Sequence, residues 1–155
     1  MSFSTLLCVF FLSSHARGIG LTAFLQSASP GSRGGIGFAI GIPLITEIIT
    51  LEGEYSRTGE SETIPSLTTW TGNVLIVSPV EIVRLRPYFA TGFGVYRQAF
   101  ASVSEFSFAT TPGFGTFLRL SGPLHGRLEY RMIRLRGDPL QANQKRFYAG
   151  LTVRF

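Results

Sequence analysis

Arg127, Glu129 and Arg131 stand at every second position of the stretch RLEYR, and Glu52 and Glu54 do the same in LEGEY. Residues two apart share a face of an extended chain, so each stretch offers a row of charge. Arg86, Arg119 and Arg154 occupy comparable positions in other alternating stretches. Charges held away from water are costly unless paired and hydrogen-bonded, and the planar fork of arginine can serve several acceptors at once. Two readings follow: an enclosed ion-pair network, or a positively lined path for anions. Other chemistry is poorly supplied. The chain has two histidines, His15 and His125, one cysteine, Cys8, and scattered acids. That is too few ligands for a metal and gives no nucleophile–base pair. Glycine stretches such as GFG have no helix after them to receive a phosphate, and no cofactor is expected.

The elements that would position these charges are strands. In KRFYAGLTVRF, Phe147, Ala149, Leu151, Val153 and Phe155 fall on one face, and Arg146, Tyr148, Gly150, Thr152 and Arg154 on the other. A slip of one residue would turn the arginines into apolar surroundings, so the register is tightly specified. RPYFATGFGVYR, GFGTFLRL, RLEYRM, GGIGFAIGI and TLEGEYS repeat the pattern. Eight strands are predicted, over about 18–26, 35–43, 45–57, 67–77, 83–97, 106–120, 125–136 and 145–155. The fourth alternates least cleanly. Parity also changes after Met132, where Ile133 and Leu135 swap sides with Arg134 and Arg136; a bulge, or the edge of an apolar band, would do that. Short proline-bearing links alternate with longer polar ones, which would put all short turns at one end of an up-and-down barrel and the long loops at the other. Both termini would then share the short-turn end.

An amphipathic sheet of this kind either buries its apolar face, as in a soluble carrier barrel, or turns it outward to lipid. Glycine decides the reading. Gly35, Gly37, Gly41, Gly92, Gly94, Gly113, Gly115 and Gly150 all fall on the polar face. A solvent-exposed face gains little from glycine, whereas the crowded interior of a small barrel needs it for curvature and to make space. The phenylalanine face is therefore expected outside. Eight strands enclose only enough room for side chains, so the inward charges are read as a plug: Glu52, Glu54, Arg86, Arg119, Arg127, Glu129, Arg131 and Arg154. By chain direction Arg86, Arg119, Arg127 and Arg154 lie near the termini end, and Glu129 and Arg131 should meet Glu52 centrally. Arg134, Arg136, Lys145 and Arg146 flank the last long loop, either as contacts for anionic lipid head groups or as an ordinary solvated rim.

Composition agrees with this placement. Charged residues are 15% of the 155-residue chain, against roughly 25% in an average soluble protein, and mean hydropathy is +0.26. The net charge of +5 rests almost wholly on arginine, which suits an anionic surface or internal ion pairs. The first residues, with apolar Leu6 to Leu12 followed by Ser14-His15-Ala16, read as a signal peptide over 1–16 cleaved after Ala16, although no basic residue precedes Arg17. Cys8 would leave with it. Residues 17–155 form one domain.

RPYFATGFGVYR, SGPLHGRLEYRMIRLRG and KRFYAGLTVRF resemble the bacterial outer-membrane β-barrel domain family of small eight-stranded proteins, best from about residue 86 onward. The resemblance implies an all-β fold, an eight-stranded antiparallel up-and-down transmembrane β-barrel in the bacterial outer membrane, monomeric, with both termini periplasmic. It also implies that the last strand carries the signal read by the barrel assembly machinery, through Tyr148, Gly150, Val153 and Phe155. Some such barrels are lipid hydrolases with a histidine at the outer rim. His125 falls in a turn at the other end, so no enzyme is expected. The expected role is structural support of the envelope, in contact with outer-membrane lipid and not with nucleic acid. Two alternatives are an adhesion module acting through loops 27–34, 58–66 and 98–105, and a soluble lipocalin-like carrier of an apolar ligand.

Overall fold

Alternation governs the chain from Gly20 to Arg154. The computed structural model describes residues 18–29, 31–45, 47–60, 62–137 and 143–155; the expected signal segment and its cleavage point lie outside the described residues. The strands are β1 (Gly20–Ser29), β2 (Arg33–Ile45), β3 (Ile49–Thr58), β4 (Ser66–Val77), β5 (Leu85–Phe100), β6 (Val103–Thr110), β7 (Gly113–Ser121), β8 (Leu124–Leu135) and β9 (Asn143–Arg154). All recorded pairings between them are antiparallel, and β1 pairs with both β2 and β9, which closes the sheet. β6 and β7 are one stave interrupted at Thr111-Pro112. Both pair with β5 in a single continuous register, Phe93 opposite Thr110 and Ala90 opposite Gly113. Proline lacks the amide proton that the ladder needs. The Thr111 amide still reaches Gly92 O (2.9 Å) and the Met132 amide reaches Pro112 O (2.9 Å). The barrel therefore has eight staves.

Burial follows parity and inverts the arrangement of a soluble protein. The largest fully buried side chains include Arg131, Arg146 and Tyr148, while Ile36, Phe38, Phe93, Phe108, Phe114 and Leu151 are exposed. The carrier alternative needs the opposite assignment, and the structure places the apolar face outside. On β5 the outward row runs through Leu85, Phe89, Phe93 and Val95 to exposed Arg97. Ten residue rises on a tilted strand give a band of roughly 25 Å, the height of the lipid-facing belt of such barrels. Phe93, 75% exposed, sits within that band. Phe93→Arg is expected to lower stability in lipid vesicles by about 2–4 kcal/mol, measured by urea unfolding; no change would contradict a lipid-facing position.

Three expectations are corrected. The fourth strand alternates cleanly in space, with Leu67, Thr69, Thr71, Asn73, Leu75 and Val77 all buried inside; its sequence looks irregular because apolar residues stand at both ends of its inward face. Of the two readings of the parity change after Met132, the bulge fails and the edge of the apolar band holds: β8 and β9 keep one register from Leu124/Val153 to Arg134/Asn143. Ile133 and Leu135 are buried inward with Leu67, Tyr96 and Ala109, and Arg134 points out beyond the apolar band. The links also differ from expectation. Strand pairing continues into 27–29, 33–34 and 98–100, because Ser, Gly and Gln extend ladders past the apolar band. The links at the hairpin end (30–32, 59–65, 101–102, 136–142) and at the termini end (46–48, 78–84, 122–123) are consequently of matching lengths.

Candidate functional site: the lumen

β3 and β8 lie on opposite walls, separated on one side by β2, β1 and β9 and on the other by β4, β5 and the β6/β7 stave. Glu52 and Glu54 from one wall thus meet Arg127, Glu129 and Arg131 from the other. Arg127 grips Glu52 with both ends of its fork, Nη1 to Oε2 at 2.5 Å and Nη2 to Oε1 at 3.0 Å. Its Nη2 also donates to Glu129 Oε2 (2.6 Å), and its Nε donates to Tyr88 Oη (2.8 Å). Arg131 donates from Nε to Glu129 Oε1 (2.5 Å) and from Nη1 to Glu54 Oε2 (2.6 Å), with Glu52 Oε1 at 3.8 Å from Nη2. Tyr88 Oη donates to Glu129 and Tyr148 Oη to Glu54. Each guanidinium also lies over a ring, Arg127 5.4 Å from the centroid of Tyr88 and Arg131 5.2 Å from that of Tyr148. Such charge-assisted forks are the strong class of hydrogen bond, and cation–π contact adds to them when water is excluded.

The other predicted lumen charges do not join this knot. Arg86 pairs with Glu47 (3.0 Å) and Arg119 with Glu81, both at the termini end. Arg154 lies 4.6 Å from the centroid of Phe117 and makes no ion pair among the described residues. Arg127, expected among the end group, belongs to the centre because its long side chain reaches inward from a lower position. His125 Nδ1 lies 3.1 Å from Pro123 O at the same end.

Toward the hairpin end the lumen turns neutral in its acceptors. Arg146, expected as a head-group contact, is fully buried instead: its even position on β9 is inward. Its Nη1 donates to Ser56 Oγ (2.5 Å), with Gln26 Oε1 and Thr69 Oγ1 each at 3.4 Å. Nε and Nη2 have no hydrogen-bond partner among the described residues. Arg33 reaches Pro65 O and, through Nη2, Gln144 Oε1 at 3.1 Å. Tyr88, Arg33 and Gln144 are lumen partners that the sequence does not single out, and Tyr148, expected on the inward face and in the assembly signal, has a bond to Glu54 that was not foreseen. Parity alone puts both tyrosines inward; Arg33 opens β2 within the stretch 27–34, where the apolar alternation has already stopped.

Outside, Arg134, Arg136 and Lys145 are exposed at the hairpin end, and Arg57 and Arg97 join them on the outward face. One two-residue step below Arg57 and Arg97 runs a rung of Phe38, Tyr55, Trp70, Val95 and Phe108. Aromatic residues under cations are the arrangement found at a membrane interface. At the termini end, Phe155 is 74% exposed and its amide donates to Ile19 O (3.1 Å). On the same strand Tyr148 is buried, and Gly150 has no room for a Cβ beside Ala23 O and Phe24.

Closed sheet, inward charge and outward belt together define the eight-stranded barrel of the small outer-membrane proteins. The crystal structure of neisserial surface protein A matches with a TM-score of 0.70 over 89% of this chain and 96% of that one, at 13% identity. The N-terminal β-barrel domain of Pseudomonas aeruginosa OprF matches with a TM-score of 0.67 over 90% and 98%, at 14% identity. The outer membrane enzyme PagL matches with a TM-score of 0.57 over 86% and 98%, at 9% identity. No protein-family model and no curated protein sequence matches the chain.

Proposed function

We propose that this chain is an integral protein of the bacterial outer membrane with a sealed lumen, and that its role is structural support of the envelope. The observation that carries the reading is the inversion of the two faces, with arginine and glutamate knotted inside and phenylalanine and isoleucine outside. The knot spans the lumen between opposite walls, and the apolar group of Leu67, Tyr96, Ala109, Ile133 and Leu135 lies above it. Both obstruct ions. The outward cations at the hairpin end suit the phosphate-bearing head groups of an outer leaflet, which would leave both termini in the periplasm. Phe155 and the inward Tyr148 then form part of the assembly signal of the last strand. For a catalytic role the place to look is the hollow beside His125, whose lining includes Glu81, Arg119 and Arg154 and holds no serine, threonine or cysteine among the described residues. Of the three loops considered for adhesion, strand pairing shortens two to 30–32 and 101–102 and leaves 59–65 as a seven-residue link, a modest contact surface.

The test is electrophoresis of the outer-membrane fraction, boiled and unboiled, followed by planar-bilayer recording of the purified protein. A heat-dependent mobility shift and a silent bilayer are expected. Recovery in the soluble fraction without a shift would sink the membrane reading, and regular anion-selective steps would replace the sealed lumen with a pore.

A further inference from the structure

The termini end of the lumen is hollow. Below the Arg127–Glu52 pair lies a cavity of about 280 Å³, opening toward that end, with Gly20, Gly41, Leu75, Phe117 and Arg154 in its lining. Two features separate it from a packing defect. The first is the pair Gly20 and Gly41, opposite one another on β1 and β2. Elsewhere inward glycine is compulsory: a Cβ at Gly113 would lie 2.6 Å from Tyr130 O, and at Gly115 2.5 Å from Leu128 O. At Gly20 a Cβ would meet nothing nearer than Thr152 Cγ2 at 3.6 Å, and at Gly41 only the Thr50 methyl presses, at 3.2 Å. Crowding does not require glycine at these positions, and glycine weakens a strand. What it leaves is space.

The second feature is Arg154. Its guanidinium lies over the Phe117 ring at 4.6 Å and has no carboxylate partner among the described residues, whereas Arg86 beside it is engaged with Glu47. Glu47 and Glu52 also line the cup but are already paired with Arg86 and Arg127; with Arg84, Arg119 and Glu81 on the adjoining rim, five arginines face three glutamates around the mouth. A guanidinium with free donors recognises a carboxylate through paired hydrogen bonds. Leu75 and the Phe117 ring supply the apolar wall that a compact organic body would rest on, as in small-ligand sites generally. We infer that this cup binds a small organic carboxylate, held by Arg154 and seated in the space left by Gly20 and Gly41.

The probe is benzoate, with benzamide and benzylammonium as controls of the same size, titrated into the full chain folded in phospholipid nanodiscs. Methyl NMR of Leu75 reports occupancy. Benzoate is expected to give a saturable shift with a dissociation constant of about 1 mM, typical of so small a ligand. Benzamide should bind at least tenfold more weakly and benzylammonium not at all. Arg154→Gln should weaken benzoate about tenfold and Gly20→Leu should abolish its effect, while Glu47→Gln should tighten it by freeing Arg86. If Arg154→Gln does not fold, the opposite responses of Gly20→Leu and Glu47→Gln decide the matter. An unsaturating shift, equal response to benzoate and benzamide, or indifference to these substitutions would overturn the proposal.

Discussion

Arg131→Met is expected to destabilise the barrel by about 3–5 kcal/mol, the usual penalty for removing one member of a buried ion-paired group. The measurement is urea unfolding in lipid vesicles, followed through Trp70, the single tryptophan. The effect should be large because the knot holds three carboxylates, Glu52, Glu54 and Glu129, against two guanidiniums. Without Arg131, Arg127 alone faces all three, and Glu54 keeps only the Tyr148 hydroxyl as a hydrogen-bond partner among the described residues. Methionine fills much of the volume, so the loss reports charge rather than a cavity. Adding Glu54→Gln to Arg131→Met should therefore restore about 1–2 kcal/mol, a coupling expected of residues in direct contact. A neutral Arg131→Met would mean that the knot contributes nothing to stability.

Gly37→Val should prevent folding, with an expected cost of about 3 kcal/mol or more. Phe24 lies flat inside the barrel, stacked on Tyr148 at 4.6 Å and 15°. Its ring occupies the place of a Cβ at Gly37, and Tyr55 O stands 2.7 Å from that point. A methyl group forced against a ring and a ladder carbonyl cannot be relieved by a rotamer change. The readout is the yield of heat-modifiable barrel on refolding, which should fall to background. Phe24→Ala in the same chain should recover part of that yield, because the ring goes and the carbonyl stays. Full yield from Gly37→Val alone would show that the inward glycines are not sterically required.

The sequence reading was strongest where one rule sufficed. Side-chain parity sorts faces, so Arg127, Glu129 and Arg131 could be placed inside from RLEYR alone. Partner choice was harder to read. That depends on the stagger of strands around a closed ring, and no local pattern reveals that Glu54 faces Arg131 (2.6 Å) or that Arg86 turns down to Glu47. Element ends were misjudged for a related reason. Apolar alternation marks the lipid band, but the hydrogen-bond ladder continues through Ser27, Ser29 and Gln98. Arg146 shows both effects: its parity marks it as inward, and its nearness to a loop suggested otherwise. The resemblance to outer-membrane barrels, carried by the last strands, agreed with the fold.

The seam between β1 and β9 differs from every other in the ring. Neighbouring staves elsewhere are joined by short links, whereas the hydroxyls of Thr22 and Thr152 that meet across this seam are 130 residues apart. Bringing such distant points together carries a loop-closure penalty of about 4 kcal/mol in chain entropy, beyond a constant. Hairpins can form one after another at little such expense, and rates of folding fall as distant contacts dominate. Ring closure thus carries the largest chain-entropy cost of any strand pairing here, and a truncated chain lacking either terminal strand would keep most of its hairpins yet leave two open edges. Any help in folding would therefore be worth most at those two strands, since every other pairing in the ring joins staves that a short link already holds together.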